Sequence, residues 1–347
     1  MPARIDCVLP GLFDLPPGEL SGEFLRYQLP HLNRVLSLAR TRPNQAFNID
    51  SIIRKTLDWE THDDSAQTVT RSYGLPMAQA FAAPQAQDYS RYLLFQAIHL
   101  KPDLHSALIL PPGNNQDNLN DIDIIINDLK DIFKVDCDIT AVAGGVYLMR
   151  LHNFDAPLHY PHIISVLGKS ANPYIEQSRE IMPWYKLLNE MQMFLHQHEV
   201  NQKRLRSGLL PANSLWFWGG GRLEEINQGL SWYCDEPLFN RFAQSLGLAP
   251  KSLDALDISQ PAGDSLVVDL RLLTALKSGQ GESLEELLLD IDKRLLQPLL
   301  AAVTAGHSRL RLHVGYNLDF EMHPFSRFKF WKRRKSLIDW GMNSSDF

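Results

Sequence analysis

The stretch that most constrains the fold runs over residues 184–222. Its first half predicts one amphipathic helix, because apolar residues recur at steps of three and four over 184–205. Gly208 supplies a left-handed stop, and Pro211 prevents the helix from resuming. The short apolar run Ser214–Trp218 then predicts a strand buried inside a sheet.

A glycine turn follows this strand, and Trp218, Gly219, Gly220, Gly221 and Arg222 stand at the turn. Three adjacent glycines would let the backbone approach a ligand closely, because no Cβ atom stands in the way. Ligands of open α/β sheets bind at the carboxyl ends of the strands. We therefore predict a ligand-binding site at this turn.

Polar side chains gather just before the same strand. They are His196, His198, Asn201, Arg204, Arg206 and Asn213. His198 lies beside the apolar stripe, so it fits a hydrogen-bonded core histidine as well as a ligand-binding one. Arg204 fits an exposed arginine without a role as well as an anion-binding one. The pattern leaves both pairs of alternatives open.

Composition excludes several classes of protein. With 347 residues, 44% of them hydrophobic, and a net charge of −6, the chain is typical of a globular protein and gives no argument for a nucleic-acid partner. The three cysteines are too far apart for a disulfide framework or a zinc pattern. We find no signal peptide and no apolar run of about 20 residues, so we expect a cytoplasmic location and no membrane partner.

Strands alternate with helices along the chain. Strands are predicted at 4–9, 265–270 and 310–314, and helices at 29–40, 118–133 and 284–302. Pro298 should kink or restart the last of these helices. The alternation predicts an α/β fold with a mostly parallel sheet flanked by helices. Residues 90–170 have a strand and helix of their own, so we predict a smaller inserted α+β domain there and a core formed by 1–89 and 171–347.

The stretch 196–221 also resembles a signature of the cofactor-independent phosphoglycerate mutases of the archaeal type. The matching residues are His198, Val200, Asn201, Arg204, Gly208, Pro211, Ala212, Asn213, the apolar strand that ends at Trp218, and Gly219 to Gly221. The resemblance is specific because several spacings agree at once. It implies an alkaline phosphatase-like core. Among bacterial proteins, the chain is most similar to those described as RpfE-type regulatory or phosphoglycerate mutase-like.

The family uses two divalent metals, held by Asp and His, and a serine that is transiently phosphorylated. Carried over to this chain, the first metal-ligand position falls on Pro10, and Asp269 stands where the strand should end in His. The late Asp-His pair falls on Val314 and Gly315. Ser65 has the nucleophile's distance from Gly74, but its neighbours do not continue the motif. Proline cannot bind a cation, so the resemblance predicts a site that has lost most of its ligands.

These observations lead to two hypotheses about the site, beside a third in which the chain is an assembly or interaction component that uses aromatic residues near Trp331 and Trp340. In the first, the chain is a degenerate, non-catalytic and regulatory relative that needs no cofactor and binds an unknown small phosphorylated ligand or a protein partner. In the second, it is an active mutase or phosphatase with an altered site. Ser65 would then be the nucleophile, and manganese or zinc ligands would come from Asp14, Asp269, His313 and His323.

Overall fold

The computed structural model folds into two compact units, residues 1–47 with 227–347, and residues 48–226. The structure describes residues 2–16, 19–43, 48–58, 74–82, 88–103, 106–113, 116–156, 160–174, 181–223, 229–258, 263–278, 283–315, 318–328, 332–333 and 335–341. No helix within these ranges is both long and apolar enough to cross a bilayer.

The first unit combines the two ends of the sequence in one α/β layer structure. Its elements are β1 (Ala3–Val8), α1 (Gly22–Tyr27), α2 (Pro30–Leu38), β2 (Arg40–Pro43), and, in the later segment, strands at Ser231–Cys234, Ser265–Val268, Ser308–His313 and Leu318–Met322 with helices at Pro237–Ser245, Arg271–Ser278, Leu284–Asp290, Gln297–Thr304 and Leu337–Gly341. The predicted strands at 4–9, 265–270 and 310–314 are all present, with ends shifted by one or two residues.

The second unit is built around an antiparallel sheet. Its elements are α3 (Ile49–Thr56), β3 (Tyr92–Asp103), β4 (Ser106–Leu110), α4 (Gln116–Ile132), β5 (Cys137–Ala143), β6 (Val146–Leu151), α5 (Met182–Gln197), α6 (Glu199–Arg206) and β7 (Ser214–Trp218). In chain order, the later strands of the first unit are β8 (Ser231–Cys234), β9 (Ser265–Val268), β10 (Ser308–His313) and β11 (Leu318–Met322). Its later helices are α7 (Pro237–Ser245), α8 (Arg271–Ser278), α9 (Leu284–Asp290), α10 (Gln297–Thr304) and α11 (Leu337–Gly341).

The sheet of the first unit has the strand order β2-β11-β10-β1-β9-β8. Strands β10, β1, β9 and β8 run parallel, and β11 and β2 add an antiparallel edge. Side chains on one face of this sheet, among them Ile5, Val267 and Leu312, form a buried core with residues of the flanking helices. The predicted α/β fold with a mostly parallel sheet is confirmed.

The predicted long helix at 284–302 is interrupted. Helix α9 leads into a π-helical segment, Ile291–Leu296, and α10 then begins at Gln297 with Pro298 in its first turn. The residues at both junctions keep right-handed helical dihedral angles, so the chain stays helical and Pro298 lies where the hydrogen-bonding pattern changes from π- to α-helical. Asp292 of the π-helical segment accepts hydrogen bonds from the backbone N–H groups of His31 and Leu32, and so caps α2.

In the sheet of the second unit, β3 is the central strand. Its first half pairs with β6 on one side and β7 on the other, and its second half pairs with β4. The compact unit extends to residue 226, beyond the predicted insert of 90–170, because β7 hydrogen-bonds to β3. Strand β7 is therefore not part of the parallel sheet, although its apolar run fits either environment.

The single helix predicted over 184–205 is two helices. Helix α5 ends at Gln197, and His198 takes an extended conformation, with φ −64° and ψ 132°, before α6 begins. The side chain of His198 accepts a hydrogen bond from the backbone N–H of Val200 and caps α6. The apolar periodicity continues through this corner, which is why the break is not visible in the sequence pattern.

Candidate functional site

The carboxyl ends of the parallel strands in the first unit form the edge at which a ligand is expected. Asp269 follows β9 directly and is 1% exposed. Its carboxylate accepts hydrogen bonds from the backbone N–H and from Nε and Nη2 of Arg271, at 2.8 to 3.2 Å. Arg271 Nη1 also donates to Asp290 at 2.7 Å. The charge of Asp269 is thus neutralised by a guanidinium group of the protein.

A second buried polar group lies at the end of β10. His313 is 4% exposed, and its two ring nitrogens each lie 3.0 Å from a carboxylate oxygen, one of Asp319 and one of Asp6. Burial alone would lower the pKa of His313, but the hydrogen bonds and charges of the two carboxylates raise it above its ordinary value. Burial would likewise raise the pKa of Asp6, but His313 and Arg4 lower it. The imidazolium form is favoured between two carboxylates.

The four predicted metal-ligand residues do not converge. Val8 pairs with His313 on one side and with Val268 on the other, so these three side chains lie on the same face of the sheet. Asp269 follows Val268, and because side chains alternate along a strand it is directed to the opposite face from His313. Asp14 is exposed on the loop after β1, and His323 is 48% exposed beyond β11. In the described ranges no group of three or more His, Cys, Asp or Glu side chains could hold a metal ion. The donor set present does not fit the two-metal site of the family.

Burial raises the pKa values of two thiols and one carboxyl group near this edge. Burial, with the charges of Asp269 and Asp6, raises the pKa of the Cys7 thiol well above its ordinary value. Burial raises the pKa of Cys234 to about 12. The pKa of Glu236 is also raised, by burial and by the charges of Asp269 and Asp235. Neither thiol offers the thiolate that a nucleophile or a soft metal ligand requires.

The signature residues of the second unit form a corner between α6 and β7. The amide nitrogen of Asn201 donates to the carbonyls of Leu195 and Ala212, at 2.7 and 2.8 Å, and its oxygen accepts from the N–H of Ala212. Asn201 is 1% exposed. Its side chain thus joins the end of α5 to the segment that enters β7, and this use of its donors and acceptor is structural.

Arg204 lies in the same corner and is also buried, with 1% exposure. Its guanidinium donates to the carbonyl of Leu210 through Nε and Nη2, to the carbonyl of Pro112 at 2.5 Å, and to Asp121 at 3.0 Å. Of the two alternatives that the sequence left open, the exposed arginine without a role is therefore wrong. The anion that Arg204 contacts is Asp121 of its own unit.

The other two polar residues of the signature also bond within the second unit. His198 lies 3.1 Å from Asp128 through Nε2, while Nδ1 caps α6. Asn213 accepts from the N–H of Leu100 and donates to its carbonyl, so its amide extends the pairing of β7 with β3. Ligand binding by His198, Asn201, Arg204 and Asn213 stays a prediction, but the donors and acceptors described are already used by the fold.

The glycine turn is occupied by the protein's own backbone. Gly219 has φ +78° and accepts a hydrogen bond from the N–H of Ala78 at 2.9 Å. A Cβ at Gly219 would lie 3.2 Å from that nitrogen, so the close approach that requires glycine is to the chain itself. Trp218 is buried, Gly220 is buried and Gly221 has φ +116°, while Arg222 is exposed. Ser65 lies outside the described residues.

One buried cluster beside this turn is not visible in the sequence. Asp50 of α3 is fully buried and accepts hydrogen bonds from the backbone N–H groups of Leu75 and His162, at 3.0 and 2.7 Å. Burial raises the pKa of Asp50 to about 6, and burial lowers the pKa of His162 to about 3. The His162 ring packs edge to face on Trp218 at 5.3 Å. In the sequence, Asp50 is an ordinary acidic residue in a first helical turn.

Comparison with known proteins agrees with the resemblance seen in the sequence. No protein-family profile matches the chain. It is 28% identical over 103 residues to a probable 2,3-bisphosphoglycerate-independent phosphoglycerate mutase of Geobacter sulfurreducens. It is 26% identical over 109 residues to the 2,3-bisphosphoglycerate-independent phosphoglycerate mutase of Methanothrix thermoacetophila. These matches cover 30% and 31% of this chain but only 22% and 24% of the two relatives.

Two solved structures are also similar. A cofactor-independent phosphoglycerate mutase of Thermoplasma acidophilum superposes with a TM-score of 0.39 and 16% identity, over 93% of this chain and 89% of that one. A protein of Pyrococcus horikoshii superposes with a TM-score of 0.45 and 13% identity, over 93% of this chain and 88% of that one. The resemblance to cofactor-independent phosphoglycerate mutases is thus confirmed by the curated relatives. The match spans less than a quarter of their length, so their activity is not carried over to this chain.

Proposed function

We propose that this relative of the cofactor-independent phosphoglycerate mutases is non-catalytic and acts by binding. The observation that carries the proposal is the pairing of Asp269 with Arg271 at the carboxyl end of β9. A carboxylate that ligates a metal must offer it oxygen lone pairs, and here three N–H groups of Arg271 occupy them. The fixed guanidinium supplies the positive charge that a cation would otherwise bring.

The neighbouring positions support the same proposal. Pro10 follows β1 where the family's first metal-ligand aspartate should stand, and proline offers no side-chain ligand. His313 is engaged by two carboxylates on the other face of the sheet. We infer a regulatory role, in the cytoplasm and of the RpfE type, exercised by binding a small phosphorylated ligand or a protein partner without a metal cofactor.

Metal content and mutase activity test this proposal together. Purified full-length protein would be incubated with Mn²⁺ or Zn²⁺, desalted and analysed for bound metal, and then assayed for interconversion of 2- and 3-phosphoglycerate. We expect less than stoichiometric metal and no conversion above a blank. Arg271→Ala is the matched variant, since it frees the Asp269 oxygens; we expect no activity from it, because one carboxylate is not a metal site.

The alternative is an active mutase or phosphatase that uses manganese or zinc. Stoichiometric metal together with turnover would contradict the proposal, and loss of both in Asp269→Asn would assign the metal to this edge. Turnover that disappears in Ser65→Ala would identify the nucleophile of such an enzyme.

A further inference from the structure

The first unit carries a strongly basic pocket whose described lining includes none of Asp269, Arg271 and His313. Helices α1 and α2 and the C-terminal segment around α11 enclose about 720 Å³. Four cationic side chains line it, Arg26, Arg34, Arg333 and Lys335, and Asp339 is the one carboxylate in the described lining. This excess of positive charge lies in a chain whose net charge is −6. The pocket therefore has a local potential opposite to that of the whole protein.

The walls of the pocket are held by hydrogen bonds that do not involve the cationic groups. The side-chain amide of Asn33 in α2 donates to the carbonyls of Leu25 and Arg26, both at 3.0 Å, and so fixes the end of α1. The hydroxyl of Ser37 accepts from the N–H of Lys335 at 2.8 Å and donates to the carbonyl of Asn33. Both walls are thus anchored to α2, and the pocket is preformed.

The carboxylate of Asp339 is already engaged. It accepts hydrogen bonds from the N–H and hydroxyl of Ser336, at 2.7 and 2.9 Å, which is the capping arrangement at the start of α11. These bonds, and then the charges of Arg26 and Arg333, lower the pKa of Asp339. Arg26, Arg333 and Asp339 line the same pocket. The ammonium group of Lys335 lies over the Trp340 ring, 4.1 Å from its centroid, which leaves one carboxylate for the three guanidinium groups.

The buried arginine of this protein shows the contrast. Arg204 has Asp121 and three hydrogen bonds to carbonyls to compensate its charge. In the pocket, by contrast, Arg26, Arg34 and Arg333 line one volume together with a single described carboxylate, and like charges that share a pocket repel one another. Side chains that repel one another are relieved by a ligand of opposite charge. A site arranged for function commonly shows this conflict with stability.

We propose that this pocket binds a small anion that carries two or more phosphate charges. Arginine guanidinium groups match phosphate oxygens in a bidentate manner, and several of them suit more than one phosphate group. The volume lies within the range of small-molecule sites. The Tyr27 ring is 72% exposed and lines the same pocket, which offers a planar surface to a ring attached to the phosphates. This pocket would be the place where the protein exercises the ligand-binding role proposed above. The pocket proposal does not depend on whether the carboxyl edge of the sheet is catalytic.

Thermal unfolding with inorganic pyrophosphate as the probe tests the site, with sodium chloride added to equal ionic strength as the reference. We expect pyrophosphate to raise the Tm of the full-length protein. Arg34→Gln should weaken binding by roughly tenfold or more, as expected when a charge-assisted hydrogen bond is lost. Arg206→Gln is the matched control, because Arg206 is an exposed arginine of the second unit, and it should keep the full shift.

The Tm values without ligand provide the second readout. Arg34 is exposed, so Arg34→Gln should fold, and its Tm should equal or exceed that of the wild type because repulsion in the pocket is reduced. A Tm shift no larger than that of sodium chloride, or the same shift in Arg34→Gln as in Arg206→Gln, would overturn the proposal.

A separate experiment distinguishes a soluble phosphate ester from a lipid headgroup as the ligand of this pocket. Phosphatidylcholine vesicles with and without phosphatidylinositol bisphosphate would be sedimented with the protein. A Tm shift with pyrophosphate and no sedimentation supports a soluble phosphate ester. Sedimentation that requires the bisphosphate and is lost in Arg34→Gln supports a lipid headgroup bound in the same pocket. Sedimentation that Arg34→Gln leaves unchanged would place lipid binding elsewhere and count against this site.

Discussion

Two arginine–aspartate pairs, one in each unit, serve different purposes. Arg204 and Asp121 lie in the signature corner, where the guanidinium is 1% exposed and is bonded chiefly to backbone carbonyls. Arg271 and Asp269 lie at the carboxyl edge of the parallel sheet, where the guanidinium is 40% exposed and is bonded to carboxylates. The first pair holds backbone segments together. The second neutralises acids at a position where a ligand would be expected.

The difference shows what the resemblance to phosphoglycerate mutases conveys. It is strongest over the signature that contains Asn201 and Arg204, whose side chains fix the path of the chain between α5 and β7. At the positions of the metal ligands, Pro10 and the paired Asp269 depart from the family. The resemblance therefore includes residues whose side chains build the fold.

Of the residues compared, Arg204 should have the largest effect on the free energy of unfolding when it is replaced. Arg204→Met removes the donors to Leu210 and Pro112 and leaves buried carbonyls and Asp121 without their partner. We expect a loss of about 3–5 kcal/mol in the free energy of unfolding, measured by denaturant titration. Arg206→Met, two residues away and exposed, should change it by less than about 0.5 kcal/mol. Equal effects of the two variants would contradict a structural role of Arg204.

Replacement of Asn201 should have the second-largest effect on the free energy of unfolding. Asn201→Ala leaves the carbonyls of Leu195 and Ala212 and the N–H of Ala212 without this partner, in a site that is 1% exposed. We expect a destabilisation of roughly 2–3 kcal/mol in the same titration. If ligand binding were its main role, Asn201→Ala would leave the stability of the free protein unchanged.

Arg271 should matter less, because its side chain is 40% exposed and water can replace part of its interaction with Asp269. We expect Arg271→Met to destabilise the protein by about 1–2 kcal/mol at pH 7. Asp269→Asn combined with Arg271→Met should recover part of this loss, since no buried charge then remains unpaired. Arg294→Met is the control, because Arg294 also pairs with Asp290 but is 64% exposed.

The smallest effect should be the change with pH in the contribution of His313 to the free energy of unfolding. Its pKa is raised in the folded state, so its contribution to stability is fully present below about pH 6.5 and is lost as pH rises through the folded pKa. The stability difference between wild type and His313→Asn should therefore narrow from pH 6 to pH 9. Asp6 has a lowered pKa, so its contribution persists over this range and is lost only at acid pH. A difference that widens with pH would show that His313 is neutral in the fold.

The sequence predicted the regular elements better than their assignment to sheets. Strand β9 was recognisable because a parallel strand buried on both faces forms a continuous apolar run, and β10 was recognisable from leucines that alternate with arginines. Strand β7 has the same kind of run, yet it pairs antiparallel with β3. A buried strand has the same apolar signal in either sheet, so only long-range pairing distinguishes them.

The candidate site was harder to predict. Arg271 stands two residues after Asp269, but nothing in the sequence shows that the turn between them brings guanidinium and carboxylate together. The Asp50 cluster depends on backbone N–H groups of Leu75 and His162, which carry no sequence signal. The cations of the basic pocket come from two distant segments of the chain, Arg26 and Arg34 from one and Arg333 and Lys335 from the other, so no single stretch of sequence shows that they share a pocket.

The strand order of the first unit has a consequence for how the chain folds. Strand β1 lies between β9 and β10, so Ile5 pairs with residues 265 and 310. Loops of this length are slow to close, and a nascent chain must expose β1 until its last strands have been made. The second unit is continuous over 48–226 and can complete its sheet first. We expect pulse-labelled hydrogen exchange during refolding to protect β3 and β6 before β1.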